Sequence, residues 1–473
     1  MKTPWSKASS LTLLAGLGLA TGGCPSLLAA TTPDLPIGQK PNILFILADD
    51  AGYGDFGCYG QKTIQTPNID HFAQQGVRFL QFYAGAPVCA PSRNALMTGQ
   101  HTGHTQIRGN AKIDLRPEDT TVAQVLKQAG YATGLVGKWG LGSEHTDGTP
   151  NKKGFDFFYG YVDQTHAHNY YPTFLVRNET REPLRNVVPN EGQYGQGVAS
   201  QKIDYSDDFI LAEGLKFMDG HKNGPFFLYY ASTLPHANDE DKVNGSEIPS
   251  FGQYAGASWP DPEKGYAAMI TRLDDDIGKL LAKLDELGVA KNTLVIITSD
   301  NGAQEEGEHL ASYFNSSGIL HGIKRDVYEG GIREPFLARW PGHIAPATVT
   351  GQVSYFPDFL TTCADLAGVK PPTKTDGISF LPTLVGQPQA QQQHDYLYWE
   401  FYEGGTKQAV RLGDWKAIRI PMFTGTMQLY NLNADPSELH DVAADHPDLV
   451  AQAAADMKEA HVPSPNFPAP GEQ

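Results

Sequence analysis

The chain has 473 residues, of which 40% are hydrophobic and 10% aromatic, a composition typical of a folded globular protein. This length allows one large domain with a smaller one, or three domains of average size. The formal net charge of −17 disfavours nucleic acid and anionic membrane surfaces as main partners. An anionic substrate would need a local group of basic residues, because the overall field of the protein repels it.

Residues 1–30 have the pattern of an export signal. A short basic region precedes an apolar run over residues 11–20, which is too short to span a bilayer. Cleavage at the end of this stretch would leave a periplasmic or secreted protein in which residues 31–40 form a linker. Cys24 offers a bacterial lipoprotein site as an alternative, although the usual upstream leucine is missing. No later segment is apolar for long enough to cross a membrane.

Apolar runs alternate with helical patterns through most of the chain. Such continuous runs are typical of strands buried on both faces of a parallel sheet. The clearest are residues 42–48, 131–137, 225–231 and 293–298. Helical periodicity lies between them, most plainly over residues 263–288. We therefore predict an α/β fold over residues 41–390, with a large, mixed, mostly parallel sheet sandwiched by helices.

The alternation of apolar runs and helical patterns ends at the glutamine-rich residues 389–393, which predict a domain boundary. Short runs that look like antiparallel strands follow, and a helical pattern over residues 448–459 comes last. Residues 391–473 are therefore predicted to form a small α+β subdomain of antiparallel strands and one helix.

Two of the apolar runs end in oxygen-bearing side chains. Asp49 and Asp50 follow the first run, and Asp300 and Asn301 follow the last. Each pair alone would also fit a helix cap or a turn. Ligand sites in such sheets lie outside the carboxyl ends of the strands, so the two pairs could meet there. Carboxylate and amide oxygens suit Ca²⁺, and Mg²⁺ less well, whereas the absence of a zinc-type Cys/His spacing at these points argues against zinc.

Three cysteines lie beyond the predicted signal, at positions 58, 89 and 363. This odd number predicts no disulfide framework, and conversion of one thiol would leave two. Cys89 stands at a plausible helix start with Arg93 four positions on, a setting that favours a reactive thiol, although a structural loop cysteine would also fit.

The stretch Cys89-Ala90-Pro91-Ser92-Arg93, followed by Leu96-Met97-Thr98-Gly99, resembles the signature of type I sulfatases. In that family this cysteine is oxidised after translation to formylglycine. Further landmarks follow in order through residues 41–340, including Gly137-Lys138-Trp139, Leu234-Pro235-His236 and the run from Gly322 to Pro335. The resemblance implies an alkaline-phosphatase-like fold and hydrolysis of sulfate esters.

The resemblance also implies roles for individual residues. One divalent metal, usually calcium, would be held by Asp49, Asp50, Cys89, Asp300 and Asn301. Arg93 would steady the formylglycine hydrate, Lys138 and Lys324 would contact the sulfate, and His236 would protonate the leaving oxygen. Maturation would require a formylglycine-generating enzyme as a partner.

The chain departs from the family pattern at one position. The family commonly reads Gly-Lys-Trp-His-Leu-Gly, whereas this chain has Gly140 in place of the histidine credited with taking a proton when the sulfated hydrate collapses. Nearby candidates to assist are His145, His166 and His168. The last two lie in a stretch rich in His and Tyr that would suit a polar substrate wall, although an ordinary surface loop would fit equally.

These patterns predict an exported enzyme that hydrolyses sulfate esters, with sulfated carbohydrates as the favoured substrate class. One alternative is a phosphate-ester hydrolase of the same superfamily, but those enzymes typically bind two zinc ions and use Ser or Thr as nucleophile. A formylglycine-dependent phosphonate hydrolase and a non-catalytic glycan-binding protein are further alternatives. The sugar, the position of the sulfate, exo or endo action and the oligomeric state are left open by the sequence.

Overall fold

A computed structural model describes residues 40–471, which belong to one compact unit. The predicted signal peptide, Cys24 and nearly all of the predicted linker lie outside the described residues. In chain order the strands are β1 (Asn42–Ala48), β2 (Val77–Tyr83), β3 (Ala132–Lys138), β4 (Phe157–Tyr161), β5 (Phe174–Arg177), β6 (Thr180–Pro183), β7 (Phe226–Ala231), β8 (Thr293–Ser299), β9 (Arg333–Arg339), β10 (Thr348–Thr350), β11 (Ser354–Tyr355), β12 (Leu397–Phe401), β13 (Lys407–Leu412), β14 (Trp415–Arg419) and β15 (Met427–Asn431). The α-helices are α1 (Pro67–Gln74), α2 (Cys89–Thr98), α3 (Val122–Gln128), α4 (Ser206–His221), α5 (Asp261–Glu286), α6 (Glu329–Ile332), α7 (Pro357–Ala367), α8 (Leu381–Leu384) and α9 (Pro447–Ala460).

Within the described range, eleven strands form one large sheet in the order β10-β2-β9-β8-β1-β7-β3-β4-β5-β6, with β11 also paired to β2. Its centre is parallel, because β1 pairs with both β7 and β8, and β7 pairs with β3. Strand β9 runs antiparallel to both of its neighbours, β8 and β2. The predicted mixed, mostly parallel sheet with flanking helices is confirmed.

Both faces of the central strands are buried, which explains their continuous apolar sequences. On one face Leu44 and Ile46 belong to the same core as apolar residues of α1, α4 and α5. On the other face, the ring centroids of Phe45 and Phe359, the latter on α7, are 4.4 Å apart. A central parallel strand covered by helices on both sides cannot alternate polar with apolar residues. The four predicted strands therefore appear almost residue for residue.

Several elements carry no strong local pattern, and the sequence analysis did not predict them. Strand β9 begins with Arg333 and Glu334, charged residues that normally indicate a loop, yet the whole strand is buried. Strand β2 is half exposed along part of its length, and helix α4 mixes Gly and acidic residues. Tertiary pairing and burial decide these segments, because their local sequences are ambiguous.

The C-terminal part contains a second sheet of four antiparallel strands, β12-β13-β14-β15, against which α9 packs. This confirms the predicted antiparallel strands and final helix; the division at residue 390 stays a prediction. Strand β12 also contacts the large sheet region, since the Trp399 indole donates a 2.8 Å hydrogen bond to the carbonyl of Ala84. Among residues 40–471, no helix is both long and apolar enough to cross a membrane.

Candidate active site

Functional side chains converge at the carboxyl ends of four neighbouring strands. Asp49 and Asp50 follow β1, Lys138 ends β3, His236 follows β7, and Asp300 follows β8. The parallel register aligns these ends, with Ala48 opposite Ser299 and Gly137 opposite Ala231. Cys89 is the first residue of α2 and is fully buried beside them. Sheet topology therefore gathers residues that lie about 250 positions apart in the chain.

Oxygen-bearing side chains form the centre of this cluster. One ligand atom from each of Asp49, Asp50, Cys89 and His236 lies within 4.8 Å of the others. The Cys89 thiol is 4.0 Å from Asp50 Oδ1, which accepts a 2.7 Å hydrogen bond from the Asn301 amide. The backbone N–H of Asp50 donates to Asp300 Oδ1 at 3.1 Å. All five predicted metal-site residues are thus brought together.

Three cations surround these carboxylates. Lys138 Nζ lies 2.6 Å from Asp49 Oδ2, and Lys324 Nζ lies 2.9 Å from Asp50 Oδ2. The Arg93 guanidinium contacts Asp300 Oδ2 at 2.8 Å and also lies 3.3 Å from Asp49 Oδ1. Three buried positive charges thus face three buried aspartates. These charges balance although the protein as a whole is acidic, and a divalent cation bound here would make the cluster net positive, as an anionic substrate requires.

Burial and charge shift the protonation of several groups. Burial raises the pKa of Asp49, but the attraction of Lys138 and Arg93 outweighs it and holds this pKa well below its usual value. Burial and the neighbouring charge of Asp49 raise the pKa of Asp300 to about 7. Burial, reinforced by Asp49, also raises the pKa of the Cys89 thiol well above its ordinary value. Cys89 is therefore a thiol at neutral pH, a poor nucleophile as it stands.

His236 lies within hydrogen-bond distance of the Lys324 ammonium. Its Nδ1 is 2.6 Å from the carbonyl of Ala237, so Nδ1 carries the proton and Nε2 is free to accept. Nε2 lies 3.3 Å from Lys324 Nζ and 3.4 Å from Asp50 Oδ2. Burial and the charge of Lys324 lower the pKa of His236. The imidazole and ammonium together form a hydrogen-bonded pair at the edge of the cluster.

The sequence analysis missed Glu306, which anchors Lys324. Its Oε2 lies 2.8 Å from Lys324 Nζ, and its Oε1 lies 2.7 Å from the guanidinium of half-buried Arg325. In the sequence Glu306 lies in the acidic stretch Glu305-Glu306-Gly307-Glu308, which reads as a solvated loop. Its position just after β8 was the one signal that could have identified it.

The three histidines considered as helpers are placed very differently. His168 stacks on His236 with ring centroids 4.7 Å apart, and its Nδ1 lies 3.6 Å from both Asp239 and Glu240. His166 is buried away from this contact, and its ring centroid lies 4.4 Å from that of Phe174. His145 is exposed. Of the two residues predicted to bind substrate, the structure therefore brings only His168 beside the cluster.

The backbone explains why position 140 is glycine. Gly140 has φ +74°, a left-handed conformation that residues with a side chain rarely adopt. A Cβ built there would lie 3.3 Å from Gln164 Oε1, so the Gln164 side chain occupies the neighbouring space. The departure from the family pattern is thus built into the local conformation.

The donor set fits a hard divalent cation. Among the described residues, buried Asn301 Oδ1 has no hydrogen-bond donor, and Asp49 Oδ1 has only an ion-pair contact with the Arg93 guanidinium at 3.3 Å. Buried oxygens without partners are costly, and a cation that prefers oxygen ligands would satisfy them. The residues present at this carboxylate-rich cluster are therefore compatible with a bound metal ion.

Comparison with known proteins agrees with this geometry. Residues 41–369 match the Sulfatase family, and residues 321–461 match the C-terminal family of N-sulphoglucosamine sulphohydrolase. The chain is 34% identical to arylsulfatase A of Homo sapiens, over 88% of this chain and 81% of that protein. It is 32% identical to N-acetylgalactosamine-6-sulfatase of Mus musculus, over 86% of this chain and 75% of that protein.

Solved structures show the same architecture. The crystal structure of Ps i-CgsB in complex with k-i-k-neocarrahexaose superposes with a TM-score of 0.74 and 28% identity, covering 89% of this chain and 92% of that one. PsFucS1 sulfatase from Pseudoalteromonas sp. gives a TM-score of 0.72 and 26% identity, covering 89% and 90% of the two chains. The chain belongs to the sulfatase family of sulfuric ester hydrolases.

Proposed function

We propose that this sulfatase is an exported enzyme that removes sulfate from carbohydrates, with a formylglycine made from Cys89 and one calcium ion. The observation that carries the proposal is the convergence of Cys89 with oxygen ligands and three buried cations at one sheet edge. Support for a carbohydrate substrate comes from relatives named as sugar sulfatases and from a neighbouring structure solved with an oligosaccharide. The fit of Cys89 to the family motif and its raised pKa favour conversion over direct use of the thiol.

Calcium would be held by Asp49, Asp50, Asp300, Asn301 and the residue at position 89. When present, the ion would neutralise charge on a sulfuryl oxygen, and formylglycine would supply an oxygen nucleophile. Calcium is favoured over magnesium because the chain itself supplies several carboxylate and amide oxygens, whereas magnesium usually keeps several of its waters.

The side chains of this enzyme would bind the sulfate group and deliver a proton. Lys138 and Lys324 would contact the sulfuryl oxygens, and Arg93 would hold the residue at position 89 in place. His236 would protonate the leaving oxygen through Nε2 in its imidazolium form, which takes its second proton from solvent and has Asp50 Oδ2 3.4 Å away to stabilise the positive charge. Glu306 and Asp50 would keep Lys324 oriented toward the sulfuryl oxygens.

The proposal is tested first on Cys89 itself. Mass spectrometry of the Cys89 peptide from protein produced with a formylglycine-generating enzyme should find an aldehyde or its hydrate. Cys89→Ala should abolish sulfate release while the protein stays folded, and Cys58→Ala, at a half-buried cysteine outside the cluster, is the matched control. A persistent thiol in fully active enzyme would contradict the mechanism.

Substrate assays separate the competing functions. Purified enzyme should release sulfate from a panel of sulfated mono- and oligosaccharides and lose activity with EGTA, and added calcium should restore it. Phosphate and phosphonate esters are tested alongside. Faster turnover of either would favour the related phosphoryl hydrolases, and glycan binding without any turnover would favour a binding protein.

A further inference from the structure

The hairpin that joins β12 to β13 extends from the C-terminal sheet to the segments around the Cys89 cluster. Its turn spans residues 402–406, in which Gly404 and Gly405 have φ of +66° and +103°, backbone conformations that favour glycine. Glu403 lies in the turn, and Lys407 is the first residue of β13. Both side chains form hydrogen bonds outside the small sheet, with residues that lie close to the cluster.

Glu403 acts on the start of α2 through Asn110. Helix α2 begins at Cys89, and its N-cap residue, Val88, provides no side-chain hydrogen bond. The first N–H groups of a helix have no partner within the helix, so they need one from another segment or from water. Asn110 Oδ1 accepts from the N–H of Ala90 at 3.1 Å, and the N–H of Asn110 donates in turn to Glu403 Oε1. The turn residue therefore holds the residue that caps the Cys89 helix.

Lys407 holds the backbone of the residue that follows Lys324. Arg325 has φ +76°, a left-handed value that residues with a side chain rarely adopt. Lys407 Nζ donates a 2.6 Å hydrogen bond to the carbonyl of Arg325, and the Arg325 N–H donates to the carbonyl of Pro87 at 2.8 Å. A strained backbone of this kind persists only where its surroundings hold it in place. Lys407 therefore fixes the segment from which the Lys324 side chain extends.

The Arg325 side chain continues these contacts into the cluster. Its guanidinium lies 2.7 Å from Glu306 Oε1 and 3.9 Å from Glu403 Oε2. Glu306 Oε2 lies 2.8 Å from Lys324 Nζ, which in turn lies 2.9 Å from Asp50 Oδ2. The hairpin is thus connected, contact by contact, both to the start of α2 and to the Lys324 ammonium.

We propose that the β12–β13 hairpin positions the catalytic groups, with Glu403 and Lys407 as positioning residues. Glu403 orients the start of the Cys89 helix through Asn110, and Lys407 directs Lys324 toward the sulfate through the backbone that follows it. Both residues act through others and not on the substrate itself. The C-terminal sheet therefore contributes to turnover as well as to packing. This inference rests on the proposed roles of Cys89 and Lys324.

The first test measures the inhibition constant of inorganic sulfate, which does not depend on the fraction of enzyme that is active. Lys407→Met keeps the length of the side chain but removes the donor to the Arg325 carbonyl. The inhibition constant should rise roughly 3–10-fold, as expected for the loss of one hydrogen bond, because Lys324 is held less firmly. Lys458→Met on the exposed face of α9 is the matched control and should bind sulfate like wild type. An unchanged constant in Lys407→Met would overturn its role.

The second test separates positioning from contact with the substrate. Glu403→Ala removes the acceptor for Asn110 and should lower kcat/KM roughly 10-fold, by the same factor for para-nitrophenyl sulfate and for a sugar sulfate. Glu403→Gln retains an oxygen acceptor and should keep most of the activity. Asp414→Ala, at an exposed acidic residue in the β13–β14 turn, should match wild type. Wild-type kinetics in Glu403→Ala, or a loss confined to the sugar sulfate, would overturn the positioning role.

A double variant tests the route through Asn110. Glu403→Ala combined with Asn110→Ala should lose no more activity than Asn110→Ala alone, because residues that act in series are not additive. All rates are expressed per formylglycine, quantified by mass spectrometry, so that incomplete conversion of Cys89 cannot imitate the effect. Additive losses would refute this route.

The two proposals fail in different ways. If Cys89→Ala is inactive but Lys407→Met and Glu403→Ala both match wild type, only the positioning role is wrong. If Cys89→Ala keeps full activity, the proposed function fails and the positioning role fails with it.

Discussion

Lys416 joins the small C-terminal sheet to the large one, and its removal should destabilise the whole protein. Lys416 lies on β14. Its Nζ is 2.9 Å from Glu329 Oε1 and 2.9 Å from Glu438 Oε1, and all three side chains are fully buried. Glu329 also contacts Arg333 at 3.2 Å and accepts from the Tyr83 hydroxyl at 2.7 Å. This network gives a physical reason for the Glu-Gly-Gly-x-Arg motif, because Glu329 connects β2, β9 and β14.

Lys416→Met keeps the length of the side chain but leaves two buried carboxylates facing each other. Removing one partner of a buried ion pair typically costs about 3–5 kcal/mol, so we expect a loss of that order in the free energy of unfolding. Adding Glu438→Gln removes one of the stranded carboxylates and should recover at least about 1 kcal/mol. The two variants together therefore distinguish stranded charge from lost packing.

Guanidinium chloride denaturation, followed by fluorescence, measures these differences. Lys458→Met on the exposed face of α9 is the matched control and should stay within about 0.5 kcal/mol of wild type. If Lys416→Met were equally mild, or if Glu438→Gln recovered nothing, the buried network would not be what stabilises this contact.

Three further predictions concern pH and catalysis. Burial, together with the charge of Glu329, raises the pKa of Glu438 above its ordinary value of 4.5, so the folded state holds a proton that the unfolded state releases. Stability should therefore fall as pH rises from about 4.5 toward neutrality, and Glu438→Gln, compared by thermal melts, should lack that slope. Glu306→Gln should lower kcat/KM about 10-fold, because Lys324 loses one of two carboxylate partners, whereas Glu305→Gln at the exposed neighbouring position should match wild type in the same assay. His236→Gln should slow sugar sulfates by about 10²–10⁴-fold but slow para-nitrophenyl sulfate much less, since nitrophenolate needs little protonation; equal losses would argue against proton delivery by His236.

Residue types and their pattern were sufficient to identify the central strands of the large sheet and the family to which the protein belongs. The runs at 42–48 and 293–298 indicated buried parallel strands, because short runs that are apolar throughout are typical of strands covered on both faces. The polar residues after those runs followed directly, since parallel strands end at one edge of a sheet. The Cys89 motif supplied the resemblance that the family comparison then confirmed.

Only the tertiary structure shows which other side chains lie at the carboxyl ends of the parallel strands, beside the Cys89 cluster. Glu306 lies in a stretch of acidic residues that looks solvated, yet the chain folds back so that its carboxylate holds Lys324. His166 and His168 are two residues apart and chemically identical, but the 3-10 helix from 166 to 168 turns one ring into the core and stacks the other on His236. Contacts between distant segments set these positions, and no local pattern encodes them.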